Sequence, residues 1–266
     1  MSKYARRVYD QGVRIYDERK KRSAMTKVHN VLAWERIKSA LPRDKASLIL
    51  DAGGGTGIWT IPLANAGYKV VLLDLSFGML RRAKEKIISA GISEQVSIIQ
   101  ADVSHLGMFP DGAFGLILAL GAVLSYCDDA GMAIKEFHRV ARSGAYIIAD
   151  VENRYAAYLG GRRGETWEDI KRNIYEGKTI YPDPKNPFPI RLFTPEELKS
   201  IFEENGWRLE RLTGKYISSV LLGSDMVDSA ASNEETFKEL VETERRLQEP
   251  TDLVGSGFSI EIMAKK

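Results

Sequence analysis

The chain predicts a doubly wound α/β fold, on three observations. Short apolar segments alternate with amphipathic ones from Ser47 to Asp150. Four of the apolar segments end in aspartate, and a glycine-rich turn, AGGGTG (52–57), follows the first. Strands that are apolar along their whole length are buried on both faces, which requires helices on each side of a parallel sheet.

The elements follow in order. Residues 3–20 and 26–41 read as helices: Tyr4, Val8, Ile15 and Tyr16 form a partial stripe, and Val28, Val31, Leu32, Ile37 and Leu41 recur at helical spacing. Pro42 ends the second helix. SLILD (47–51) is a strand and TGIWTIPLANAG (56–67) a helix closed by Gly67. KVVLLD (69–74) is the second strand, and SFGMLRRAKEKIISAG (76–91) a helix capped by Ser76 and stopped by Gly91. VSIIQAD (96–102) and FGLILAL (114–120) are the third and fourth strands. DDAGMAIKEFHRVAR (128–142) is a helix, and GAYIIAD (144–150) the fifth strand.

After Asp150 the alternation breaks. Residues 151–194 contain Gly160, Gly161 and Gly164 and the stretch YPDPKNPFP (181–189), the composition of a lid, substrate wall or loop. Thr194, Pro195 and Glu197 open another helix, with a capping hydroxyl, a proline in the first turn and an acid three residues after the cap. It stops near Gly206. WRLERLTGKYIS (207–218) reads as a strand, 233–248 as a helix and FSIEIMAK (258–265) as an alternating terminal strand, so the last pair of strands adds an antiparallel edge. The expected division is a helical cap at 1–42 and one domain at 43–266, with 151–194 as a lid or substrate insertion.

Bulk properties narrow the function classes. With 266 residues and 44% hydrophobic content, the chain can bury a substantial core. No apolar run approaches the roughly 20 residues that cross a bilayer, and MSKYARRVYD lacks the apolar centre of a signal peptide. A soluble, cytoplasmic protein without a membrane partner is therefore expected. The one cysteine, Cys127, excludes an internal disulfide and a cysteine-only metal site. A net charge of +2 gives no global nucleic-acid signature. Residues 1–22 nevertheless hold eight basic side chains (Lys3, Arg6, Arg7, Arg14, Arg19, Lys20, Lys21, Arg22) against Asp10, Asp17 and Glu18. Such a segment is a solvated helix face or an attractor for an anionic cofactor tail, substrate or RNA backbone.

The glycine turn carries the chemistry. Gly53, Gly55 and Gly57 sit between strand-ending Asp51 and a helix, where a ligand over the helix N-terminus needs backbone free of Cβ atoms. The dinucleotide fingerprint places its third glycine one position later, and that position is Ile58. Asp74 closes the second strand 21 positions after Gly53, where a carboxylate can accept both hydroxyls of a ribose. Asp102 closes the third, within reach of an adenine amino group. Together they describe an adenosine site without a diphosphate. Three structural roles compete: Gly54 serving only the turn, Asp102 capping the turn at Ser104, and Asp51 orienting the amides of the glycine loop.

On these residues the chain resembles the class I S-adenosylmethionine-dependent methyltransferases, in motif order LDAGGGTG, LLDLS with Met79 following, QAD, and FGLILALGAVLSY. The resemblance implies a Rossmann-like seven-stranded sheet, mostly parallel, with its last strand antiparallel and inserted beside the sixth. It implies S-adenosyl-L-methionine as cofactor. Gly53, Gly54, Gly55 and Gly57 would line its methionine portion and ribose, Asp74 would hold the ribose hydroxyls, and Leu75 and Met79 would flank the adenine. Asp102 and Val103 would contact the adenine, and Leu120 would flank the methionine. His29, or an arginine of the first helix, would meet the methionine carboxylate. VLAWERI, FEENGWRLERLTG and the tail VETERRLQEPTDLVGSGFSIEIMAKK are also similar to the bacterial tRNA carboxymethoxyuridine methyltransferases. In those enzymes basic and aromatic side chains near the sixth strand and the tail engage RNA, whereas the corresponding stretches here read YISSV and GSGFSIE.

Methyl transfer from a sulfonium is an in-line displacement that needs alignment and exclusion of water more than a catalytic triad. His105 reads as a rim or surface residue, His138 as structural, and Tyr126 as a pocket wall or a packing residue. Cys127 lacks the preceding proline of cytosine methyltransferases. LGAVLSY after the fourth strand is not the Asn/Asp-Pro-Pro-aromatic turn of exocyclic-amine base methylases. Asp128 and Asp129 look like a helix cap rather than a metal site. Trp34, Trp59, Trp167 and Trp207 read as packing residues. The leading expectation is a methyltransferase acting on a small-molecule oxygen or nitrogen nucleophile, with a carboxylate among the options. A tRNA wobble-uridine methyltransferase is the alternative. From other classes come a nicotinamide-dependent oxidoreductase and a non-catalytic S-adenosylmethionine-binding protein.

Overall fold

The computed structural model describes residues 3–157, 166–180 and 187–266, and within them not the side chains at 3, 4, 11, 14, 15, 19–22 and 224. Gly160, Gly161, Gly164 and most of YPDPKNPFP lie outside the described residues. So do the side chains of Lys3, Arg14, Arg19, Lys20, Lys21 and Arg22.

Helices α1 (Lys3–Arg22) and α2 (Ala24–Ala40) precede β1 (Leu48–Ala52). The doubly wound unit continues with α3 (Thr60–Asn65), β2 (Lys69–Asp74), α4 (Phe77–Ser89), β3 (Val96–Gln100) and β4 (Phe114–Ala119). A short α5 (Val123–Tyr126), α6 (Ala130–Val140) and β5 (Ala141–Glu152) complete it. Next come α7 (Trp167–Lys171), a hairpin of β6 (Lys178–Ile180) and β7 (Pro189–Arg191), α8 (Pro195–Glu204) and β8 (Arg208–Lys215). Helices α9 (Ile217–Leu222), α10 (Ser224–Ala230) and α11 (Glu234–Leu247) lead to β9 (Ser259–Lys265).

Seven strands form one sheet in the order β3-β2-β1-β4-β5-β9-β8. The first five pair in parallel, with Leu50 opposite Val71 on one side and Ile117 on the other. Strand β9 runs antiparallel to both β5 and β8, so it lies inside the sheet and β8 forms the edge. The seven-stranded, mostly parallel sheet with an antiparallel terminal strand is the expected fold.

The alternation of side chains along each strand divides the core in two. Ile49, Val70, Leu72, Leu116 and Leu118 pack under α2, α3 and α4 through Ile37, Leu63, Leu80 and Ile87. Leu50, Val71, Leu73, Ile117 and Ile147 pack on the opposite face against Ile134 and Phe137 of α6 and Phe202 of α8. Each fully buried side chain of this size contributes about 1.5–3 kcal/mol.

Local signals set most helix starts. The Ser76 and Asp129 side chains accept the amides of Met79 and Met132, and Thr194 and Glu197 form a reciprocal capping box ahead of α8. Helix α3 begins at Thr60 rather than 56, because Gly53, Gly55 and Gly57 all adopt positive φ and the chain turns before it can wind. Residues 216–218, expected as strand, do not continue β8: Tyr216 takes φ +65° and turns the chain into α9. Of the tryptophans, Trp207 is buried and Trp34 and Trp59 are half-buried, but Trp167 is 65% exposed and packs no core. It sits in the first turn of α7, whose described residues include none that are buried.

Phe137 is fully buried between α6 and the sheet. Phe137→Ala is expected to cost about 3–5 kcal/mol of stability, read as a lower urea midpoint at unchanged slope.

Candidate functional site

The three consecutive glycines of the first turn differ in what they leave open. A Cβ at Gly53 would strike Val123, and one at Gly54 would strike Leu72 and the Asp51 carboxylate. Those positions need glycine for packing inside the protein. Gly55, at φ +56°, has no atom within 4 Å of where its Cβ would stand. Its bare backbone faces open space, as close approach of a ligand requires.

Asp74, at the tip of β2, fixes this turn. One carboxylate oxygen accepts the Gly55 amide at 3.0 Å and the other the Ser76 amide at 2.8 Å. Burial pushes the Asp74 pKa up, and these two amides oppose the shift. Asp51 lies behind the turn, where it accepts the Thr60 hydroxyl at 2.6 Å; its complete burial pushes its pKa up to about 6.

Helix α1 lies across this end of the sheet. Asp10 accepts the Ser76 hydroxyl (2.6 Å) and the Gly78 amide (2.9 Å) at the start of α4. About two turns later, Asp17 accepts the Thr56 hydroxyl (2.7 Å), the Arg82 Nε–H (3.2 Å) and the Lys86 ammonium (2.9 Å). Two acids of α1 thus tie it to the glycine turn and to α4.

A second set of groups shapes the tips of β4 and β5. One oxygen of Asp150 accepts the amides of Gly121 (2.7 Å) and Ala122 (2.6 Å), and the other pairs with the Lys215 ammonium. Burial would raise the Asp150 pKa, but Lys215 and the two amides hold it below the usual carboxylate range. Lys215 also faces Glu261 at 3.6 Å, and Glu261 in turn pairs with Arg36. Ala122 (φ +62°) and Tyr216 (φ +65°) are the non-glycine residues with positive φ among those described, and both border this region. Strain of this kind persists where surrounding contacts over-determine the backbone.

Between the two sets lie two cavities that share Tyr16, Gly53, Leu120, Gly121, Asp150 and Tyr216, and together make one cleft. The larger adds Tyr9, Gly55, Asp74, Met79, Tyr126 and Glu152. Tyr9 meets Tyr126 edge to face at 6.0 Å and Tyr16 at 6.3 Å. Burial and the charges of Asp74 and Asp150 push the Tyr16 pKa up, so its phenol is neutral. The smaller cavity adds His29, Gly54, Trp59 and Lys215. Nε2 of His29 accepts the Tyr216 amide at 3.0 Å, its ring stacks 3.9 Å from that of Tyr216, and burial lowers its pKa. Its Nδ1 is buried without a hydrogen-bond partner among the described residues.

Of the residues chosen from sequence, Gly53, Gly54, Gly55, Asp74, Met79, Leu120 and His29 line the cleft. Asp51, Gly57, Leu75, Asp102 and Val103 do not appear in its lining. Asp102 accepts the Ser104 amide at 2.9 Å, the turn-capping arrangement. Arg6 is paired with Asp10 at 3.5 Å on an exposed part of α1. Tyr126 is a cleft wall. His105 is exposed, and His138 packs on Trp207 at 5.3 Å. Burial pushes the Cys127 thiol up to about 12, which removes the thiolate at neutral pH. No metal-holding group of acids, histidines or cysteines occurs among the described residues, and no described helix is long and apolar enough to cross a membrane. Tyr9, Tyr16, Glu152, Lys215 and Tyr216 were not singled out as site residues. Asp150 closes a strand as Asp51, Asp74 and Asp102 do, and that repeated strand-tip aspartate was the available signal for its end of the cleft.

A family model described as a methyltransferase domain matches residues 49–144, the stretch from β1 to the start of β5. The tRNA 5-carboxymethoxyuridine methyltransferase of Escherichia coli strain K12 is 25% identical over 221 residues, covering 82% of this chain and 79% of that protein. A malonyl-[acyl-carrier protein] O-methyltransferase of Hamiltonella defensa is 39% identical over 104 residues, 39% of this chain and 37% of that one. The structure of an S-adenosylmethionine-dependent methyltransferase from Methanosarcina mazei superposes with a TM-score of 0.62 at 22% identity, covering 87% and 96% of the two chains.

Asp51 makes stability depend on pH. The folded protein keeps its proton up to about pH 6, while the unfolded chain releases it near pH 4. Stability therefore falls as pH rises through that window and levels off above it, by about 3 kcal/mol. Urea unfolding between pH 4 and 7.5 is expected to show this fall in the wild type, and a flatter profile in Asp51→Asn, which still accepts from Thr60.

Proposed function

This chain is an S-adenosylmethionine-dependent methyltransferase, and we propose that its glycine-turn cleft holds the cofactor beneath α1 while a small-molecule acceptor enters beside Tyr126. The observation that carries this reading is the open face of Gly55 next to the Asp74 carboxylate. The residues present fit the adenosyl group: a bare backbone, a buried acid at the neighbouring strand tip, and an orphaned imidazole nitrogen at the far end.

When bound, the cofactor supplies an electrophilic methyl group on a cationic sulfur. Asp74 lines the cleft with both oxygens already oriented by amides, and in this reading it accepts the ribose hydroxyls. Leu75, Met79, Asp102 and Val103 form the adenine side. Gly53, Gly54, Gly55 and Leu120 border the ribose and methionine, and Gly57 and Asp51 keep the turn in shape. Nε2 of His29 lies between the Tyr216 amide at 3.0 Å and the Glu244 carboxylate at 3.3 Å, which leaves Nδ1 as the nitrogen for the methionine carboxylate in this reading. Helix α1, within a cap of residues 1–42, excludes water, and the described part of the 151–194 insertion borders the acceptor side through Phe188, whose ring lies 6.1 Å from that of Tyr126. The protein's contribution is alignment and desolvation, which requires no general base for an anionic oxygen acceptor.

A tRNA acceptor is the second reading, favoured by the likeness to the Escherichia coli enzyme over 82% of the chain. Incubation of a cell extract with a deuteromethyl donor separates the two: label is expected in the small-molecule fraction. Label confined to tRNA, with salt-sensitive retention of tRNA by the protein, would reverse the order.

Asp74→Ala is expected to weaken donor and S-adenosylhomocysteine binding about a hundredfold by calorimetry, the equivalent of roughly two charge-assisted hydrogen bonds. Its circular dichroism should match the wild type. Unchanged affinity would remove Asp74 from the ribose.

A further inference from the structure

We propose that His29 takes up a proton when the cofactor binds, and holds it between the cofactor's methionine carboxylate and Glu244. This rests on the reading above, in which the methionine end of the cofactor lies at His29.

The two nitrogens of His29 have different surroundings. Nε2 lies 3.3 Å from Oε1 of Glu244 and 3.0 Å from the Tyr216 amide. Nδ1 is buried without a hydrogen-bond partner among the described residues, on a side chain that lines the smaller cavity. A polar atom left unsatisfied in such a place is costly, and a ligand group that completes it is favoured.

Glu244 is a fixed anion. It is buried on α11, where its carboxylate accepts the amides of Ile217 (3.2 Å) and Ser218 (2.8 Å), the Ser218 hydroxyl (2.6 Å) and the Gln248 side-chain amide (3.1 Å). Burial would raise its pKa, but His29 and Ser218 hold it down at about 2. Arg36 pairs with Glu261, and Lys215 with Asp150 and Glu261. His29 is therefore the basic side chain left to Glu244 among the described residues.

In the free protein the balance favours a neutral ring. Burial, Lys215 of β8 and Arg36 of α2 oppose the cation, Glu244 supports it, and the His29 pKa falls below the usual histidine value. The Tyr216 amide opposes the cation as well, because it donates to the lone pair that Nε2 would give up. Asp150 of β5 and Glu261 of β9 are each paired with Lys215, and the phenol of Tyr16 on α1 is neutral.

A carboxylate at Nδ1 reverses that balance. A neutral imidazole has one N–H and can serve only one of two carboxylates, whereas the imidazolium serves both. One proton from solvent forms one N–H bond on binding and returns to solvent on release. Glu244 acts here as a positioning residue, since it reaches the ligand only through His29.

The test is calorimetry on the full chain at pH 7.5 in buffers of different ionisation enthalpy, with S-adenosylhomocysteine and 5′-methylthioadenosine as ligands. The second shares the adenosine and lacks the methionine carboxylate. S-adenosylhomocysteine is expected to take up about one proton and 5′-methylthioadenosine none, so the affinity of the first alone falls with rising pH, by up to about tenfold per pH unit. His29→Gln is expected to bind S-adenosylhomocysteine more weakly and without the proton, and Glu244→Gln to take up less than the wild type. The proposal is overturned if wild-type S-adenosylhomocysteine binding takes up no proton, if 5′-methylthioadenosine takes up as many, or if His29→Gln keeps the wild-type uptake. The two ligands on the wild type decide the matter even if neither variant folds. Failure of S-adenosylhomocysteine itself to bind would instead refute the cofactor reading, and this proposal with it.

Discussion

One buried carboxylate holds together the parts of this protein that face the cleft. Asp74 accepts an amide from the glycine turn and another from the first residues leading into α4, so two adjacent strand tips are braced by a single side chain. Leaving either amide unsatisfied in so buried a place would cost about 1–3 kcal/mol. The brace extends outward, since Ser76 donates its hydroxyl to Asp10 and thereby engages α1. The shape of the turn, the start of α4 and the seating of the covering helix are consequences of the same carboxylate.

The opposite wall is organised by a chain of alternating charges. Asp150, Lys215, Glu261 and Arg36 are buried or nearly so, and they come from β5, β8, β9 and α2. Taking such groups out of water is costly, and their mutual attraction compensates only when every partner is present. Two cations alternate with two anions, so the set is neutral as a whole. Asp150 spends its second oxygen on the amides of Gly121 and Ala122, and this secures a left-handed residue at the edge of the cleft. A site that works by alignment needs walls of this rigidity, because the chemistry has little else to draw on.

Much of this was legible in the sequence, because the dominant signals were local. Continuous apolar strands such as Leu116–Leu118 can only be buried on both faces, and capping residues such as Ser76 and Thr194 mark where helices begin. The glycine turn and Asp74 were equally plain, since backbone exposure and a strand-tip acid leave marks at fixed spacing. What escaped was the product of distant chain segments. Asp10 and Asp17 look like members of a solvated helix face until α1 is placed against α4. Lys215 and Tyr216 read as the continuation of a strand, and only the left-handed turn at Tyr216 brings its ring onto His29. Trp167 showed the opposite error, in which a large apolar side chain implied a core that is not there.

The central claim is that the bare backbone at Gly55 and the acid at Asp74 receive one adenosyl group and no second nucleotide half. Thermal unfolding with S-adenosylhomocysteine and, separately, with NADH addresses it directly, because a ligand that binds the folded state raises the melting temperature. At about a hundred times its dissociation constant, S-adenosylhomocysteine should stabilise the protein by about 2.7 kcal/mol, and NADH should leave it unmoved. A rise with NADH and none with S-adenosylhomocysteine would contradict the account.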